Sequence, residues 1–144
     1  MRYWDSSALV PLVVTEESTQ EVRRWLADDA GIVTWAWTRV ELTGAVERRA
    51  RQRQLSRAER RAVLERFDEL AMSWDEVVDL FAVRARALSL LARHDLRAAD
   101  AAQLGAALLT AEDHPASLTF VCLDDRLAAA AEREGLRVLT LSPL

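Results

Sequence analysis

Apolar residues follow two rhythms along the chain. Ile32 to Trp35 and Leu118 to Leu123 are short apolar runs, the first β-branched and aromatic, the second continuous as in a buried parallel sheet. Elsewhere apolar positions recur at helical spacing, as in Val22, Trp25 and Leu26, then Val63, Leu64, Phe67, Leu70 and Ala71, then Leu80, Val83, Ala87, Leu90 and Leu91. The opening stretch from Met1 to Leu12 reads as a buried strand ending at Asp5, with Ser6 or Ser7 starting a short helix.

Three pairs, Ser18 with Glu21, Thr38 with Glu41 and Ser56 with Glu59, have capping-box spacing and open the second, third and fourth helices. The second helix closes at Asp28-Asp29-Ala30-Gly31 and the third runs to about Gln52. Trp74 to Val78 is a short edge strand, and the fifth helix closes near His94. Asp95-Leu96-Arg97 leads into a sixth helix from Ala98 to Leu109, whose small residues suit close packing. Leu127, Ala128 and Ala131 line a seventh helix that Gly135 stops, and Leu136 to Leu141 forms the last strand. Strands alternating with helices throughout predict an α/β fold. About five strands in a mainly parallel sheet, covered by about seven helices, form one domain over residues 1–144.

Composition narrows the chemistry. A chain of 144 residues, 51% of them hydrophobic, buries one core. The net charge of -4 leaves nucleic-acid binding to a local patch rather than to the whole surface. All 19 basic residues are arginine, so mechanisms built on lysine are excluded. Eight of them, against three glutamates, lie between Glu47 and Arg66, either as the solvated face of a helical hairpin or as a surface for a phosphate backbone. Cys122 is the only cysteine, so the chain has no internal disulfide and no cysteine-based zinc cluster. The apolar run from Ala8 to Val14 is short and interrupted by Pro11, so neither a signal peptide nor a membrane span is expected, and the cytoplasm is the simplest address.

Four acids stand where an open α/β sheet binds ligands, beyond the carboxyl ends of its strands. Asp5 and Asp124 each end a strand, and Glu41 and Asp100 each lie in the first turns of a helix. Each also has a purely structural reading: Asp5 and Asp124 as helix caps, Glu41 as a capping-box partner, and Asp100 as an acid favoured by the helix dipole. Brought together, four carboxylates repel one another unless they share a cation. Oxygen ligands without His or Cys select a hard ion, Mg2+ or Mn2+, which lowers the pKa of a bound water and offsets charge on a phosphodiester.

Four segments, Tyr3-Trp4-Asp5-Ser6-Ser7-Ala8-Leu9, Thr38-Arg39-Val40-Glu41-Leu42, Leu96 to Leu104 around Asp100, and Phe120 to Leu127 around Asp124, occur in that order and spacing. In them the chain resembles the PIN-domain ribonucleases, in particular the VapC toxins of bacterial toxin-antitoxin pairs. The resemblance spans essentially the whole sequence. It implies that Asp5, Glu41, Asp100 and Asp124 form a catalytic, metal-binding quartet, with Ser7 a helper hydroxyl. It further implies a Mg2+- or Mn2+-dependent endoribonuclease and a homodimer. A small cognate antitoxin of the VapB kind would wrap the toxin and place a basic side chain near the acids.

Two positions depart from the family pattern. Cys122 stands where Thr or Ser is common, and Asp125 beside Asp124 leaves two candidates for one role; strand register favours Asp124 at the metal, with Asp125 capping the next helix. Arg97 is either a strand-holding cation for RNA or an exposed loop arginine. Trp35 and Trp37 share a face if the strand reaches both, serving the core or a partner groove.

Other readings compete with this one. A metal-independent ribonuclease would need His94 and His114 as acid and base. A phosphatase of the haloacid-dehalogenase type would need a second acid two residues after Asp5 and a later lysine, and the chain has Ser7 and no lysine. The non-enzymatic alternative is a catalytically silent PIN-like module that binds RNA or protein.

Overall fold

The computed structural model describes residues 1–141. Five strands, β1 (Arg2–Trp4), β2 (Ile32–Trp35), β3 (Asp75–Val77), β4 (Thr119–Val121) and β5 (Arg137–Leu139), form one sheet in the order β3-β2-β1-β4-β5. Every neighbouring pair is parallel, with Tyr3 opposite both Val33 and Phe120. Strand order reverses between β1 and β4. The carboxyl ends of these two strands therefore flank the crevice in which open α/β sheets bind ligands.

Seven helices connect the strands: α1 (Ser6–Val13), α2 (Thr19–Asp28), α3 (Thr38–Arg51), α4 (Arg57–Ser73), α5 (Leu80–Arg93), α6 (Ala98–Ala111) and α7 (Asp125–Arg133). A short 3-10 turn, Pro115–Ser117, precedes β4. Strand alternation divides their packing into two cores. Tyr3, Val33, Trp35, Phe120 and Cys122 face α5, α6 and α7, whereas Trp4, Ile32 and Val121 face α1 to α4. Tyr3 and Phe120 stack with ring centroids 5.5 Å apart. Fully buried Leu9, Leu42 and Leu104 each contribute roughly 1.5–3 kcal/mol by leaving water. At Gly105 the backbones of α5 and α6 come so close that a Cβ would lie 3.2 Å from the Val83 carbonyl oxygen.

Of the three expected capping boxes, only Ser56 with Glu59 forms, each side chain accepting from the other's backbone amide. Ser18 holds the cap position in a helical conformation and makes no side-chain cap bond, while the Thr19 hydroxyl beside it accepts from the Glu16 amide. Thr38 lies inside α3, with Trp37 at the cap position, so its hydroxyl turns into the core and Glu41 is released from capping. Trp35 and Trp37 do not share a face. Strand β2 stops at Trp35, which is buried, and Trp37 sits in the following turn, 59% exposed. Leu80, expected on the buried side of α5, is 57% exposed, and Leu91 is also exposed. No helix of the described residues is long and apolar enough to cross a membrane.

Candidate active site

Asp5 follows β1 and is the N-cap of α1. Its Oδ2 accepts from the Ser7 amide at 3.1 Å and from the Ser7 hydroxyl. Its other oxygen, Oδ1, is buried with no hydrogen-bond partner. The side chain is 2% exposed, and burial pushes its carboxyl up to about 7, against the two bonds from Ser7 and with added repulsion from Glu41 and Asp100. The cap and the site acid expected at this position are thus the same residue, one oxygen engaged by the helix and the other free.

Ser7 also fastens the two central strands together: its Oγ accepts from the Leu123 amide at 2.9 Å, just past β4. The Cys122 thiol stands 3.7 Å from Asp5 Oδ2 and from the Ser7 hydroxyl. Burial holds that thiol well above its ordinary pKa, so it stays neutral.

Glu41, half-buried on the first turn of α3, accepts from the Ser6 hydroxyl at 2.7 Å through Oε2 and from the Gln103 amide at 3.1 Å through Oε1. Burial raises its pKa, these two bonds lower it, and Asp100 raises it again. Asp100, in the first turn of α6, is raised by burial and by Asp124, with Arg97 and Arg126 opposing. Arg97, Asp100, Asp124, Asp125 and Arg126 line a cleft of about 300 Å³. Repulsion therefore runs from Glu41 to Asp5, to Asp100 and on to Asp124.

Asp124, not Asp125, is the N-cap of α7: its Oδ1 accepts from the Leu127 amide at 2.9 Å. The capping role expected of Asp125 is thereby corrected, since the extended residue at the end of the strand is the one placed to accept that amide. Asp125 lies in the first turn of α7, and both acids face the cleft. Among the described residues, no three Asp, Glu, His or Cys side chains converge closely enough to hold a metal ion as they stand.

Ser6, Thr34, Thr38 and Gln103 hold the acids from below; the sequence pattern marks Ser6 and Thr38 only as helix starts and gives Thr34 and Gln103 no role at the site. The visible signal was Gln103 itself, a lone polar residue three positions after Asp100 in a run of small apolar ones. The two histidines take no part. His94 is bonded to Glu134 at 3.0 Å and His114 caps the 3-10 turn, and neither lines the acid cleft. In the arginine-rich hairpin, Arg49 pairs with Glu16 and Arg60 with Glu47.

The PIN domain family matches residues 2–133. The chain belongs to that family. PIN domains are typically nucleases, and the acids described above lie within the matched span. The fold is similar to that in the crystal structure of FitAcB from Neisseria gonorrhoeae, with a TM-score of 0.67, 19% identity and 96% of each chain covered. It is also similar to PAE2754 from Pyrobaculum aerophilum, with a TM-score of 0.63, 21% identity, and 96% of this PIN chain and 89% of that one covered. At these identities the likeness is one of fold. No curated protein matches the chain.

Proposed function

We propose that this PIN domain is a Mg2+- or Mn2+-dependent endoribonuclease that acts in the cytoplasm as the toxin of a toxin-antitoxin pair. The observation that carries the reading is Asp5, buried at the point where strand order reverses, with one carboxylate oxygen unpartnered and two further acids close enough to raise its pKa. An ionised carboxylate in that position needs a cation. The donors present are all hard oxygens, which fit Mg2+ or Mn2+.

Asp5, Glu41, Asp100 and Asp124 would hold the ion. Bound there, it supplies a lowered water pKa and charge neutralisation on an RNA phosphodiester. The acids act as ligands and not as covalent intermediates. Ser7 fixes the Asp5 carboxylate through Oδ2 and leaves Oδ1 free. Arg97, exposed at the rim beside Asp100, binds the phosphate backbone of the substrate.

Two surfaces suit the partners of such a toxin. Val40, Thr43 and Gly44 form an open groove on α3 between Arg39 and Arg51, with Glu47 on its wall, and Trp37, three residues before Val40, is exposed. A cognate antitoxin of the VapB kind docks there and brings a basic group to the acids. The outer face of α5 carries exposed Phe81 and Leu88 and receives a second copy of the chain.

The deciding experiment compares wild type with Asp5→Asn on RNA. Cleavage by the wild type stops with EDTA and returns with Mn2+, and the variant, folded by circular dichroism, cleaves nothing. Full activity in the variant, or wild-type activity indifferent to EDTA, overturns the reading. One observation favours a silent RNA- or protein-binding module: among the described residues, no three acids converge as they stand. Calorimetric titration with Mn2+ separates the two, because a silent module has no use for the ion.

A further inference from the structure

Beneath the acids lies a continuous buried chain of hydrogen bonds. The Tyr3 hydroxyl meets Gln103 Oε1 at 2.7 Å, and Gln103 Nε2 meets Thr38 Oγ1 at 2.9 Å and Glu41 Oε1 at 3.1 Å. Thr38 and Thr34 hydroxyls are 2.8 Å apart, and Thr34 donates to the Trp4 carbonyl at 2.8 Å. Tyr3, Thr34, Thr38 and Gln103 are all buried.

The direction of every bond in this chain is determined. The Thr34 proton is committed to the Trp4 carbonyl, so Thr38 donates to Thr34 and has only lone pairs left for Gln103. Gln103 must then turn its NH2 group to Thr38, and the same group supplies the second proton to Glu41. Its carbonyl oxygen faces Tyr3, which donates. A flipped amide would set its carbonyl oxygen against the Glu41 carboxylate and leave the Tyr3 hydroxyl facing an NH2 donor. The carboxamide is therefore locked, and it presents a hydrogen-bond donor to Glu41, never an acceptor.

The locked amide spans the elements that carry the acids. Tyr3 lies two residues before Asp5, Thr38 and Glu41 share α3, and Gln103 is one turn after Asp100 on α6. Each Glu41 oxygen accepts one bond, from Ser6 or from Gln103, and keeps its remaining lone pairs for a ligand.

We infer that Gln103 is the positioning residue of the site, holding Glu41 as an oriented anionic ligand through an amide that Tyr3 and Thr38 lock in place. The inference rests on the metal reading of the acids. Gln103 reaches no reacting atom and acts only through Glu41. Groups that orient a metal ligand in this way typically change metal affinity 10–100-fold when removed.

The test is a double-mutant cycle read by calorimetric Mn2+ titration of the intact chain, with Gln103→Met keeping side-chain length while deleting the amide. In the otherwise wild-type protein, Gln103→Met weakens the Mn2+ Kd by about 10-fold or more. In a Glu41→Gln background the same change moves the Kd by less than about twofold, because the residue through which it acts is already neutral. Equal losses in both backgrounds, or no loss in the first, overturn the inference while leaving the metal reading intact. A wild type that binds no Mn2+ overturns both.

Tyr3→Phe is the milder variant should Gln103→Met not fold. Without metal, side-chain amide hydrogens of Gln103 exchange slowly with solvent in the wild type and at least 10-fold faster in Tyr3→Phe, as the lock requires. Unchanged exchange in that variant counts against the lock.

Discussion

Asp5, the proposed metal ligand, sets stability against function in one side chain. Its carboxyl sits at about 7 in the folded protein, against about 3.9 for an unfolded aspartate. Between those values the folded state binds more protons than the unfolded one, so this group's contribution is present below about pH 4 and is lost as pH rises through 7. At 1.36 kcal/mol per pH unit the loss is on the order of 4 kcal/mol as an upper bound. Asp5→Asn removes the titration, so without metal the variant resists urea better than the wild type at pH 7.5, and the gap closes toward pH 4. Adding Mn2+ at pH 7.5 narrows the gap by stabilising the wild type alone. Parallel pH profiles for the two proteins would show that Asp5 carries no buried charge. Its place at a strand end was legible from sequence, because a carboxylate followed by two hydroxyl residues is a local pattern. The role of Gln103 was not, because its partners lie 100, 65 and 62 residues away.

At the level of the element, sequence announced the helices better than the way they begin. Ile32 to Trp35 matches β2 to the residue, whereas a box at Thr38 starts α3 one residue late, since Trp37 holds the cap position. Capping boxes were read from spacing alone, and spacing is silent on whether the hydroxyl residue is extended. Ser56 is extended, with ψ of 169°, whereas Ser18 is helical, with ψ of -10°. The two serines therefore differ in worth although their motifs look alike. Ser56→Ala costs about 1 kcal/mol by leaving the Glu59 amide without its acceptor, and Ser18→Ala costs almost nothing. Urea midpoints of the two variants measured side by side check this, and equal losses would mean that the helix ends rearrange in solution. The absent box at Thr38 leaves the Glu41 oxygens bonded to Ser6 and Gln103 instead of to the Thr38 amide.

On the scale of the molecule, the strand count and the parallel sheet followed from the alternation of patterns, but the order β3-β2-β1-β4-β5 did not. Order depends on pairings between strands far apart in the chain, such as Tyr3 opposite Phe120, that no local window contains. The same blindness put Leu80 and Leu91 of α5 in the core. Helical spacing identifies an apolar stripe without saying what covers it, and α5 carries two. Val83 and Leu90 face α6, whereas Leu80, Phe81, Leu88 and Leu91 face outward, with the Arg84 guanidinium 4.9 Å from the Phe81 ring centroid. A second stripe on a helix already packed against the domain is surplus to folding, and burying it between two copies removes it from water. Sedimentation velocity at micromolar concentration should then find about twice the 16.2 kDa of one chain. Leu88→Glu places a charge on the two-fold contact in both partners at once, weakening association by at least about 30-fold, as expected for the loss of a buried anchor of about 2 kcal/mol. Its fold is unaffected, because Leu88 is 64% exposed in the single chain. A wild type that sediments as a monomer, or a Leu88→Glu variant that remains a dimer, would assign the outer face of α5 to some other contact.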